Sequence, residues 1–166
     1  MKLLLTQFVA FFLLSSCSNI SFLLETKKVS SLLKNKTSVY VEGWESPVLK
    51  EVLFSELGEV LEKRYVLVLK VNETQTKRSI NENQVAQKID YKYRINYSLR
   101  DTKNKCPNIN NTQTSNFSFT PKSEGYNFAS DVLFKSLLEE ALLQNLNNFM
   151  SLVDRSLQSY SCLDED

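Results

Sequence analysis

Val85-Ala86-Gln87-Lys88-Ile89-Asp90-Tyr91-Lys92-Tyr93-Arg94-Ile95-Asn96-Tyr97-Ser98-Leu99 decides the fold. Val85, Ile89, Tyr91, Tyr93, Ile95, Tyr97 and Leu99 hold the odd positions, and Gln87 is the only polar side chain among them. Ala86, Lys88, Asp90, Lys92, Arg94, Asn96 and Ser98 hold the even ones. Successive side chains of a strand point to opposite faces, so this alternation means one buried and one solvated face. At roughly 3.3 Å per residue the strand spans about 50 Å.

Upstream, Tyr65 to Val71 reads as a strand that continues in polar form from Glu73 to Ile80. Asn81-Glu82-Asn83 marks a turn, so the two strands form one long hairpin. Before it, Ser38 to Trp44 is β-branched and aromatic, another strand. Ser46-Pro47 then opens a helix, with Ser as the cap and Pro at the first helical position. Leu49, Val52, Leu53, Leu57, Val60 and Leu61 recur at helical spacing, with Gly58 inside the run. Strand, helix and strand in this order imply a right-handed crossover and a parallel pair.

Downstream, Asp101 to Asn111 is a polar loop around Cys106-Pro107, and Thr112 to Thr120 is a fourth strand with Phe117 and Phe119 inward. Pro121 to Asn127 turns. Ala129 to about Leu157 is a long amphipathic helix whose start is favoured by Ser130 and Asp131. The order β-α-β-β-β-α predicts an α+β two-layer sandwich, a four-stranded mixed sheet with both helices on one face.

At the other end of the chain, Lys2 precedes an apolar run from Leu3 to Leu14, and Leu14-Ser15-Ser16-Cys17 follows. The run is short for a membrane span and ends in small residues, so residues 1–16 read as a cleavable signal. A branched apolar residue, two small ones and a cysteine fit a lipobox, with Cys17 as the lipidation site. The alternative is an ordinary secretory signal with a chance cysteine. One acyl chain binds a membrane only marginally, whereas several on one residue anchor it durably. Ser18, in place of the aspartate that retains lipoproteins at the inner membrane, favours the outer one. Residues 17–37 then read as a lipidated tether, 38–160 as one domain and 161–166 as an acidic tail.

Composition narrows the function. There is no histidine, which removes the commonest general base and metal ligand. Gly43, Gly58 and Gly125 are the only glycines, too few for a phosphate-cradling loop. Without Lys2 the basic and acidic side chains balance at 19 each, so no nucleic-acid footprint is present. No catalytic arrangement, metal site or cofactor motif stands out. Serines are plentiful, but a Ser-Lys mechanism has no supporting motif. With Cys17 spent on lipid, Cys106 and Cys162 remain as an even pair in an oxidising compartment. The last helix should run back beside the fourth strand toward the Cys106 loop, which makes a Cys106–Cys162 disulfide an expectation; two unpaired cysteines are the alternative.

Between Lys77 and Arg100, the cations Lys77, Arg78, Lys88, Lys92, Arg94 and Arg100 outnumber the acids Glu82 and Asp90. Asp90 is expected to pair across strands with Lys or Arg. This basic set reads either as a solvated face protected by edge lysines or as a surface for an anionic amphiphile, its phosphates met by Lys and Arg.

The lipobox, the element order, the long central hairpin and the helix near the C-terminus together resemble the lipopolysaccharide-assembly lipoprotein family (LptE-like). The most similar stretches are Arg64 to Leu69, Asp90 to Leu99, and Gly125 to Asp131 leading into the last helix. The resemblance covers about residues 14–155. It implies a lipid-anchored protein on the periplasmic side of the outer membrane. It also implies a large β-barrel translocon as partner, which the lipoprotein plugs and helps assemble, with lipopolysaccharide bound through basic residues. The candidates Lys77, Arg78, Lys88, Lys92 and Arg94 come from this sequence rather than from the family. The Cys106 loop and the acidic tail depart from the family pattern. Other classes remain open: an auxiliary lipoprotein of a lipid-trafficking transporter, a structural envelope lipoprotein, and a lipid-anchored enzyme, which the missing histidine disfavours.

Overall fold

A computed structural model describes residues 32–80, 86–103, 105–121 and 128–159. The signal segment, Cys17, most of the tether, the turn at Asn81-Glu82-Asn83, Cys162 and the acidic tail lie outside the described residues. The elements are β1 (Thr37–Gly43), α1 (Pro47–Leu57), β2 (Tyr65–Ile80), β3 (Ala86–Asp101), β4 (Ile109–Phe119) and α2 (Phe128–Ser159). They form an α+β two-layer sandwich with sheet order β1-β2-β3-β4. β1 and β2 are parallel, and the other pairs are antiparallel.

The odd positions of β2 and β3 point inward as their periodicity requires: Tyr65, Leu67, Leu69 and Val71, then Tyr91, Tyr93, Ile95, Tyr97 and Leu99. Both helices cover that face. Leu49, Val52, Leu53 and Leu57 of α1 join Leu138, Leu142, Leu146, Phe149 and Val153 of α2 in one core with the strands. Each large side chain buried this way contributes about 1.5–3 kcal/mol before entropy is counted. Lys135 and Glu51 link the two helices at 2.9 Å.

Ser46 caps α1 as its sequence implies, its Oγ accepting the Leu49 N–H at 3.1 Å. The helix is shorter than the apolar spacing suggests. It stops at Leu57, and Gly58 takes φ 73. Gly58 is therefore a terminator rather than an interior residue. A Cβ there would meet Asn35 Oδ1 at 2.1 Å, so the glycine makes room for the Leu32–Lys36 turn. Val60 and Leu61 fall beyond the helix, and Leu61 is 77% exposed.

That turn also moves the start of the domain. Leu33 is fully buried, and the Asn35 carbonyl accepts N–H donors from Leu61 and Glu62. The segment expected as tether thus joins the fold by Leu32, and β1 begins at Thr37. β4 begins at Ile109, three residues earlier than expected. The preceding loop is short because the buried Asp101 carboxylate accepts N–H donors from Lys103, Lys105 and Cys106.

α2 is fixed on the sheet by polar as well as apolar contacts. Tyr97 stacks on Phe149 with centroids 4.3 Å apart. The Tyr97 hydroxyl donates to Asn145 Oδ1 at 2.9 Å, and Asn145 Nδ2 donates to Ser115 Oγ at 3.2 Å. Asn145 is 1% exposed. One side chain of α2 is thereby bonded to β3 and β4, and sliding the helix would leave buried polar groups unpaired.

Candidate functional site

β1 ends at Gly43, level with Val71. Beyond that point β2 turns polar on both faces, because neither β1 nor α1 continues to cover it. β3 stays covered further along. Phe134 of α2 packs its edge against Tyr91 and Phe119, and Phe117 stacks on Tyr91. The distal half of the hairpin is therefore anchored through β3 and free along β2.

The even positions form the open face of the sheet, which no described element covers. In the distal half the paired rows run Arg78–Lys88, Thr76–Asp90–Ser118, Thr74–Lys92–Asn116 and Asn72–Arg94–Thr114. This brings together Arg78, Lys88, Lys92 and Arg94, four of the five basic residues expected to act jointly. It separates Lys77 from them. Lys77 pairs with Ile89 in the odd set, so its side chain leaves from the helix side of the sheet. Arg100 shares the open face but lies at the opposite end, level with Val66.

Arg78 and Lys88 do not have equivalent surroundings. Arg78 contacts Asp90, whose other carboxylate oxygen accepts from Ser118 Oγ at 2.7 Å. Asp90 is the cross-strand partner expected of it. Its carboxyl is held below the ordinary carboxylate range, first by the Ser118 hydroxyl and then by the charges of Arg78 and Lys88, with partial burial opposing. Among the described residues no carboxylate forms an ion pair with Lys88, Lys92 or Arg94. They span about 20 Å of one strand, six residues at roughly 3.3 Å each. An open depression of about 390 Å³ lies among Thr74, Arg78, Lys88, Lys92, Asn116 and Ser118.

A second depression, about 460 Å³, lies toward the base of the same face, lined by Val68, Lys70, Asn96, Ser98, Asn110 and Thr112. Lys70 is the cation that counting charges along the hairpin overlooks. It sits three residues before the polar stretch, and its even position puts it in phase with Lys92 and Arg94. The arrangement offers separated cations set among hydroxyls and amides, which suits several phosphates on one ligand. Cys106 is buried near the start of β4. Its expected partner Cys162 lies outside the described residues.

No protein-family model matches the sequence, and no curated protein does. Solved structures do. A candidate lipoprotein from Caulobacter crescentus CB15 matches with a TM-score of 0.54 at 16% identity, over 75% of this chain and 92% of that one. The rare lipoprotein B from Shewanella oneidensis gives a TM-score of 0.46 at 10% identity, over 74% and 96%. A minor lipoprotein from Acinetobacter baumannii gives 0.42 at 13%, over 72% and 91%. At such identities the first likeness is one of fold, and the weaker two add no argument; the fold of this chain is one also found in a bacterial candidate lipoprotein.

Proposed function

We propose that this chain is an outer-membrane lipoprotein, anchored through Cys17 on the periplasmic side, that plugs and helps assemble a β-barrel lipopolysaccharide translocon. The observation that carries the reading is the bare distal face of the hairpin, where Lys88, Lys92 and Arg94 stand without ion-pair partners among the described residues. A solvated face needs no such row, whereas an anionic amphiphile with spaced phosphates does. The lipobox supplies the compartment, and the resemblance to the LptE-like family supplies the barrel. The role is recognition and assembly rather than catalysis.

Affinity purification of the tagged chain from detergent-solubilised outer membrane tests the partner. A large β-barrel should co-elute, and depletion should leave that barrel misassembled and new lipopolysaccharide off the cell surface. Co-elution with inner-membrane transport machinery instead would favour the auxiliary-lipoprotein reading. Normal barrel assembly and surface lipopolysaccharide in depleted cells would remove the proposal. Cys17→Ala should leave an unprocessed or soluble precursor, and normal processing and membrane retention would contradict lipidation.

A further inference from the structure

Among the described residues the sheet has three free margins, and two of them are protected. β1 is short, carries Glu42, and ends at Gly43, where a Cβ would meet the Val71 carbonyl oxygen at 2.6 Å. Past Gly43 the margin is the distal part of β2, with Glu73, Lys77 and Arg78. Brevity and charge are ordinary ways to prevent an edge from pairing with foreign strands. β4 has neither. It runs 11 residues, Ile-Asn-Asn-Thr-Gln-Thr-Ser-Asn-Phe-Ser-Phe, with no charge and no proline. Its pairing to β3 is unbroken from Leu99–Ile109 to Ile89–Phe119, so no bulge turns it away. Among the described residues β4 is the last strand of the sheet, and its outer backbone groups have no strand partner.

We propose that the β4 edge receives an extended segment of a partner protein as an added strand. The two faces of β4 specify its chemistry. On the helix side Phe117 is partly buried and flanked by buried Ser115 and Phe119, which calls for apolar side chains opposite. On the open side Asn110, Thr112, Thr114, Asn116 and Ser118 are exposed, short and uncharged. Behind them on β3 stand Lys92, level with Asn116, and Arg94, level with Thr114. An added strand would lie about 9–10 Å from β3, two strand spacings. Long cationic side chains crossing short neighbours would there meet carboxylates on the incoming strand. The segment therefore alternates apolar and acidic residues, and main-chain bonds supply the rest of the binding. A second copy paired edge to edge through β4 would bring no carboxylate to Lys92 and Arg94, because β4 carries no charge. The inference does not depend on the barrel proposed above.

The test uses the full chain in detergent and two labelled peptides of about ten residues, alternating valine with glutamate or valine with lysine. The glutamate peptide should bind, and the lysine peptide should bind roughly tenfold or more weakly. The amides of Ile109–Phe119 should gain hydrogen-exchange protection when the glutamate peptide is present. Thr114→Glu/Asn116→Glu should weaken binding by a similar factor. Its new carboxylates face Arg94 and Lys92 across the pair, so its melting temperature should stay near wild type. No binding at millimolar peptide, equal binding of both peptides, or binding without protection of β4 would each overturn the proposal. Concentration-dependent self-association that protects β4 would give the edge to a second copy and overturn it equally.

Discussion

The two halves of the β2–β3 hairpin share one register and have opposite surroundings. At the base, Leu67 and Leu69 pair with Leu99 and Tyr97 under two helices, and nothing on the inward face is solvated. In the distal half, Asn72 and Thr74 to Arg78 of β2 are exposed on both faces, and cations stand on the open one. Nothing in the ladder of hydrogen bonds changes between the halves. What changes is coverage: β1 stops at Gly43, α1 stops at Leu57, and the sheet continues without them. A strand pair that continues past its own core gains little stability there, so the base serves the fold and the distal half is available for recognition.

The largest effect should come from the base. Phe149→Ala removes a fully buried ring stacked on Tyr97 and should cost about 3–5 kcal/mol, read by denaturant unfolding. A loss below about 1 kcal/mol would mean that α2 does not hold this half together. Asn145→Ala should cost about 1–3 kcal/mol, because the Tyr97 hydroxyl and Ser115 lose their shared partner inside the core.

Base and distal half should also respond to pH from opposite sides. Burial pushes the phenol of Tyr97, at the base, above its ordinary value of 10.0. The unfolded chain then ionises first, so the stability linked to this group is whole below about pH 10 and lost as pH rises beyond it. Tyr97→Phe should shallow that alkaline decline in melting temperature. Asp90, in the distal half, is lowered below 3.8. Its contribution is present above the ordinary carboxylate value and lost as pH falls through the lowered one. The melting difference between wild type and Asp90→Asn should be small at neutral pH and vanish in acid.

Much of this contrast was legible in the residues. Period-2 alternation marked β3 and its inward set, and Asp90 within a basic strand marked a cross-strand pair with Lys or Arg, which the structure makes with Arg78. Three features were missed, for physical reasons. Val60 and Leu61 continue the helical spacing of α1, yet Gly58 leaves the helix at positive φ to admit Asn35, and hydropathy does not encode that contact. Lys77 was grouped with Arg78 because β2 has no apolar residue between Val71 and Ile80 to mark its phase. Carrying the odd-inward phase forward from Tyr65 and Val71 would have separated them and would have placed Lys70 on the open face. The burial of Leu33 was missed because the residues that follow it, Lys34 to Ser38, are all polar and set it apart from the apolar pattern of β1.

The smallest expected change in stability makes the most direct test. Charge reversal at Lys88, Lys92 and Arg94 touches exposed side chains outside the core and should leave unfolding within about 0.5 kcal/mol per site. Measured on that folded triple variant, lipopolysaccharide binding should fall, and fall further at low salt, where screening is weakest. Binding equal to wild type by a variant that melts normally would contradict the account and leave the distal hairpin as no more than a solvated face.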